Sequence, residues 1–234
     1  MFHLKSLEGS DVMLIPTMTD QEKRAQVIQD SKELGAYISS ELRPKIIKAA
    51  RKFNNFPRIF KSERVTRNRN KYHIRIKVLS RRDVNHAHMM SAYTIMNANE
   101  GKYALAISTR QGGEDFVQIY VPHLFTRYSQ RYGCDMFEEE RIHRFMEDSL
   151  SPECSGVRLM GDGTVFATVL GGVLLGVEDN GVVVYKTYVD EARLREEQLD
   201  EDSDLRDSFM KKIAKSKRWL SAILNQQRGK GEAK

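Results

Sequence analysis

The chain of 234 residues carries a net charge of +6 with 40% hydrophobic and 30% charged residues, the balance of a folded, well-solvated protein. That length can bury a substantial core, and a single domain over 1–225 is expected, with a helical segment at about 19–54 and a disordered tail at 226–234. No run of residues approaches the ~20 apolar positions of a membrane helix, and the first eight residues lack a signal-peptide core, so a cytoplasmic protein without membrane contact is expected. The cysteines, Cys134 and Cys154, fit free thiols in a reducing compartment better than a disulfide framework.

Val12 to Ile15 forms a short apolar run before Pro16, compatible with a strand or a docked arm. From Thr19 or Asp20 a helix is expected, because Glu22 falls in its first turn and Val27, Ile28, Leu34, Tyr37, Ile38 and Leu42 recur at helical spacing. Pro44 marks a break, and Lys45 to Phe53 reads as a short second helix closed by Phe56-Pro57. The period then changes. Tyr72, Ile74, Ile76 and Val78 alternate with His73, Arg75 and Lys77, which predicts a half-buried strand with a basic outer face.

Further strands are expected at Met90 to Met96, Tyr103 to Ser108 and Asp115 to Val121, giving an antiparallel sheet. Pro122 suits the first turn of a helix and Gly133 a helix end, so Pro122 to Tyr132 should be helical, followed by a second helix from about Met136 to Ser149. Between Val157 and Val189 the turn pairs Asp162-Gly163, Gly171-Gly172 and Asn180-Gly181 separate valine-rich runs, which predicts a β-meander. Helices should follow from near Asp190 and from Ser203 or Asp204, the latter with Leu205, Phe209, Ile213, Trp219, Leu220 and Ile223 on one stripe. The expected class is α+β, an antiparallel sheet or sheets with a C-terminal meander, flanked by N-terminal and C-terminal helices.

Charge is concentrated. From Arg51 to Arg82 twelve basic residues face the single acid Glu63, whereas acids gather between Asp190 and Asp207. Arg64, Arg67, Arg69, Lys71, Arg75 and Lys77, with Phe60 and Tyr72 interleaved, form the candidate surface for RNA or DNA, because clustered cations displace counterions from a phosphate backbone. The bland counterpart is a solvated strand face paired with the acidic segment. No zinc finger, helix-turn-helix or RNP-type motif accompanies the segment, so sequence-specific readout is not implied.

Walker, Rossmann, zinc-protease and nucleophile-elbow motifs are absent, and the glycines are explained by turns. His86 and His88, with His73 or His123, make too small a ligand set, so neither metal nor cofactor is assigned. On the helix after Pro122, His123, Arg127 and Arg131 fall along one edge beside an apolar face containing Tyr128. An imidazole beside guanidiniums that can hold a phosphate is a minimal apparatus for metal-independent phosphodiester cleavage, with Arg127 and Arg131 binding phosphate and His123 as acid/base. Arginines bonded to nearby carboxylates are the plainer explanation. The competing class is a non-enzymatic interaction module that uses the acidic segment and the last helix for a protein partner or a homo-oligomer.

The segment Pro-His-x-x-x-Arg-Tyr-x-x-Arg from Pro122, with Lys186-Thr187-Tyr188-Val189 downstream, resembles a group of uncharacterised proteins from Bacteroides-type bacteria and their mobile elements. The resemblance spans roughly a third of the chain and implies no activity. More distantly, the chain is similar to the RelE and barnase-like ribonucleases, in which helices precede a small antiparallel sheet bearing His, Arg and Tyr. Here those residues lie on a helix after the strands.

Overall fold

The computed structural model describes residues 13–85, 88–109, 115–132, 137–150 and 157–190. Both cysteines, the segment 191–234 with its expected C-terminal helices, and the expected tail lie outside the described residues. Among the described residues no helix is long and apolar enough to cross a membrane.

Helix α1 (Asp20–Tyr37) starts at a capping box, in which the Thr19 hydroxyl accepts from the Glu22 N–H and the Glu22 carboxylate accepts from the Thr19 N–H. The chain does not break at Pro44. A π-helical turn, Ile38–Leu42, joins α1 to α2 (Arg43–Ala50), and Pro44, the second residue of α2, follows directly on this turn, where the regular i→i−4 ladder is already interrupted.

Among the described residues nine strands form one sheet: β1 (Arg58–Val65), β2 (Lys71–Val78), β3 (His88–Ala98), β4 (Gly101–Thr109), β5 (Asp115–Tyr120), β6 (Val157–Leu159), β7 (Thr164–Val169), β8 (Gly172–Asp179) and β9 (Val182–Asp190). The order across the described sheet is β1-β2-β3-β4-β5-β9-β8-β7-β6. Each half is an antiparallel meander, as expected, but β5 and β9 meet in parallel, so the sheet is mixed. Helices α3 (Pro122–Tyr132) and α4 (Glu138–Asp148) lie between β5 and the second meander, the kind of long connection a parallel pairing requires. The turn before β8 is Leu170-Gly171, leaving Gly172 inside the strand, whereas Asn180 (φ 50°) and Gly181 (φ 80°) form the expected left-handed hairpin turn.

Both faces of the sheet are covered. Leu34, Leu42, Ile46 and Ala50 of the N-terminal helical segment pack on Tyr72, Ile74, Ile76 and Val78, and Val27 of α1 reaches Leu105, Val117, Ile119 and Val182. On the opposite face, Leu124, Phe125 and Tyr128 of α3 and Ile142, Phe145 and Met146 of α4 pack on Tyr93, Ala104, Tyr120, Val183, Tyr185 and Tyr188. The rings of Phe125, Tyr128 and Tyr120 all meet Phe145 edge to face. This second layer corrects the expectation for β2. Its basic face is not an outer one, because α4 covers it, and His73, Arg75 and Lys77 are as buried as the apolar side.

Candidate phosphate-binding edge and a buried histidine cluster

Strand β1 lies at the edge of the sheet. It had no apolar alternation to announce it, since a charged edge needs only one half-covered face. The hairpin from β1 to β2 is closed by Thr66 N–H donating to Asn70 O (3.0 Å) and Arg69 N–H donating to Thr66 O (2.9 Å), with Arg69 in the left-handed region at φ 63°. Within it the sequence alternates strictly. Thr66, Asn68 and Asn70 are buried, and Arg67, Arg69 and Lys71 are exposed.

The inward side chains are tied to Asp30 of α1, which is 1% exposed. Its carboxylate accepts from Asn68 Nδ2 (2.8 Å), Asn70 Nδ2 (2.7 Å) and the Tyr72 hydroxyl (3.2 Å). Asn70 Oδ1 in turn accepts from the Leu14 N–H (2.9 Å). Burial, and then the Asp30 charge, push the Tyr72 hydroxyl well above the ordinary tyrosine range, so it stays a donor. A buried carboxylate held by neutral donors therefore locks the hairpin tip onto α1 and directs Arg67 and Arg69 outward.

Beside the tip, the π-helical turn and β1 frame an open cleft of about 460 Å³, lined by Glu33, Tyr37, Ser40, Arg64, Thr66 and Arg67 among others. The Arg64 guanidinium lies over the Tyr37 ring at 4.9 Å and 3.7 Å from Glu33 Oε1, while its buried Nε makes no hydrogen bond. Glu33 Oε2 accepts from the Arg67 N–H (3.0 Å), so the Arg67 side chain is left to solvent. Among the described residues neither the Arg67 nor the Arg69 guanidinium has a carboxylate partner, whereas Lys71 pairs with Glu63 at 2.7 Å on the surface. Of the six candidate cations, Arg64, Arg67, Arg69 and Lys71 stand at this edge. Arg75 and Lys77 are each 4% exposed and used internally: Arg75 Nε donates to Glu147 Oε1 (2.9 Å) and Lys77 Nζ to Leu150 O (2.7 Å).

The candidate set on α3 is dispersed. His123 is exposed and makes no hydrogen bond or ion pair among the described residues; Arg127 donates to Thr187 Oγ1 of β9 (3.0 Å). Tyr128 is a core residue whose ring packs on Phe145 and Tyr188 and whose hydroxyl donates to Asp148. Arg131 is in the last described turn of α3, with its side chain outside the described residues.

A second cluster lies under α4, which sequence reasoning passed over. Glu139, His143 and Glu147 are spaced i, i+4, i+8 along α4 and reach residues of the sheet face that carries Lys61, Glu63, His73, Arg75 and Tyr93. The His73 and His143 rings meet edge to face at 4.5 Å, His73 stacks on its cross-strand partner Tyr93 at 5.6 Å, and the Tyr93 hydroxyl is 2.7 Å from His143 Nδ1. His143 Nε2 lies 3.7 Å from Glu139 Oε1, and Lys102 Nζ holds Glu139 Oε2 at 2.7 Å. His73 Nδ1 is 3.1 Å from Glu63 Oε1 but out of line for a hydrogen bond, so the contact is electrostatic only. Burial, seconded by the neighbouring His143, pulls His73 down to about 4, and burial, seconded by Arg75, lowers His143. Both rings are neutral at pH 7. The Lys102 hydrogen bond likewise keeps Glu139 below the usual carboxylate range. The ring nitrogens of His73 and His143 and a Glu139 oxygen lie within 4.8 Å of one another, a set that could hold a metal ion.

His86 and the side chain of His88 lie outside the described residues. No protein-family model, no curated protein and no solved structure matches this chain.

Proposed function

We propose that the protein binds single-stranded nucleic acid, RNA or DNA, across the β1–β2 hairpin tip and the adjoining cleft. The observation that carries this reading is the Asp30-anchored hairpin, which presents Arg67 and Arg69 outward without carboxylate partners among the described residues. A preorganised cationic tip spares the ordering entropy that a flexible basic loop would lose on binding. Arg64 and Lys71 extend the positive surface on either side, and Tyr37 with Arg64 offers a stacking platform for a base in a cleft of about 460 Å³. Backbone contact and stacking carry no base identity, so binding is tolerant of sequence.

The test is fluorescence anisotropy with labelled oligonucleotides of about 10 nucleotides across a salt series. Contact by Arg64, Arg67, Arg69 and Lys71 gives a slope of log K against log salt of about −2 to −3, and the double variant R67A/R69A reduces its magnitude by about 1.4. No binding at low salt, or a slope the double variant leaves unchanged, refutes the reading. A gel of the same samples reads cleavage, and cleavage lost in His123→Ala would favour the hydrolytic extension through His123, Arg127 and Arg131. Absence of binding together with an oligomer lost on truncation after Leu199 would favour the protein-interaction module.

A further inference from the structure

We propose that His73, His143 and Glu139 form a binding site for one divalent transition-metal ion of the zinc type, placed between α4 and the β2–β3 face of the sheet. The proposal is independent of nucleic-acid binding. Three observations carry it. The first is the donor set, two imidazoles and one carboxylate whose ligand atoms lie within 4.8 Å of one another. Nitrogen and oxygen ligands at about 2.0 to 2.1 Å suit zinc and its first-row neighbours, whereas calcium and magnesium prefer all-oxygen shells. Tetrahedral ligands at that radius stand about 3.3 Å apart; the His143 Nε2 to Glu139 Oε1 separation of 3.7 Å already approaches this.

The second observation is that His73 is a buried imidazole, 3% exposed, without a satisfying partner. Its Nδ1 is shielded from solvent and makes no hydrogen bond. A buried ring nitrogen without a hydrogen bond costs stability, and coordination through Nδ1 offsets that cost. Its cross-strand position is fixed by the Glu63, His73, Tyr93 row of the sheet, so the ring cannot simply swing into water.

The third is the shell around the donors. Metal-bound histidines are usually oriented by a partner on their other nitrogen. Here the Tyr93 hydroxyl holds His143 Nδ1 at 2.7 Å and leaves Nε2 toward Glu139. Lys102 takes one oxygen of Glu139 and leaves the other toward His143. The carboxylate of Glu139 is 46% exposed and the His143 side chain 23%, so an ion reaches the cluster from that side and a fourth position remains for water or another donor.

The experiment is equilibrium dialysis of chelator-treated full-length protein against zinc, with cobalt(II) absorbance as a report of coordination geometry. One zinc per chain is expected, together with a Tm that rises with metal concentration. In E139Q and in H143Q the affinity falls at least tenfold while the circular dichroism spectrum is unchanged, and in Tyr93→Phe it falls by roughly tenfold or more. Glu139 is surface-accessible, so E139Q tests the site even if H143Q fails to fold. Two outcomes overturn the proposal: no saturable binding near one zinc per chain, or zinc affinity in E139Q equal to that of the unaltered chain. The latter would place the bound metal elsewhere in the molecule.

Discussion

Asp30→Ala removes one carboxylate and orphans three buried donors, the amides of Asn68 and Asn70 and the hydroxyl of Tyr72. Each buried donor left without an acceptor costs about 1 to 3 kcal/mol, so the gross loss is several kcal/mol. Against it stands the desolvation of a carboxylate that is 1% exposed, which the variant no longer bears. The variant leaves no buried charge behind, only three neutral donors, so after this relief a net loss of about 2 to 4 kcal/mol is expected. Tyr72→Phe removes only one of the three bonds and should cost about 1 kcal/mol. Urea unfolding followed by far-UV circular dichroism measures both, and the double variant completes a thermodynamic cycle. If Asp30 is the common acceptor, Tyr72→Phe should cost nothing once Asp30 is alanine and should restore part of the loss, because it removes an orphaned hydroxyl. An Asp30→Ala loss below about 1 kcal/mol, or strictly additive effects, would refute the view that this carboxylate organises the hairpin.

In the metal-free protein, stability should also fall between pH 7 and 5. The folded-state pKa of His73 lies at about 4, below its unfolded value near 6.5, so its stabilising contribution is complete above pH 6.5 and is lost as pH falls through the folded value. The expected loss between pH 7 and 5 is about 2 kcal/mol from His73, with His143 acting in the same direction. Glu63 and Glu139, whose pKa values are lowered by lysine hydrogen bonds, lose their contributions in a more acidic window; a His73→Gln curve as steep as the original between pH 7 and 5 would remove the assignment. In the second meander, Gly172→Ala would set a Cβ 2.3 Å from Val189 O and 2.8 Å from the Tyr188 ring, and should lower stability by about 2 to 3 kcal/mol by thermal melting. Gly161→Ala meets nothing within 4 Å and should change stability by no more than about 0.5 kcal/mol; equal effects would show that the close approach is not limiting.

The strand positions were legible wherever periodicity or turn chemistry was strong. Tyr72 to Val78 alternates, Pro122 opens α3, and Asn180-Gly181 specifies its own hairpin. Two features escaped for physical reasons. Strand β1 is an edge strand, so its charges satisfy solvent and α4 together and leave no apolar rhythm. The alternation of β2 was correctly read as two distinct faces, but a one-sequence pattern cannot tell a solvated cationic face from one bonded to Glu147 of a later helix and to the Leu150 carbonyl just beyond it. The histidine cluster was hidden because its members come from β2 and α4, far apart in the chain. The i, i+4, i+8 spacing of Glu139, His143 and Glu147 was the available signal, a polar stripe too ordered for an exposed helix face. On α3, helical spacing aligned His123 with Arg127 beside an apolar face; Arg127 donates to Thr187, and Tyr128, on that apolar face, joins the core.

The parallel junction of β5 with β9 divides the sheet into two kinds of contact. Within each meander every strand pairs with its sequence neighbour, so those ladders close short loops at little entropic cost. The junction, with Val117, Ile119, Val182 and Val184 at its centre, joins residues more distant in sequence than any hairpin pair and must wait for both halves. The seam thus acts as a late clasp. Weakening it should shorten the lifetime of the folded state more than it slows folding, so its apolar side chains are guardians of persistence more than instructions for assembly.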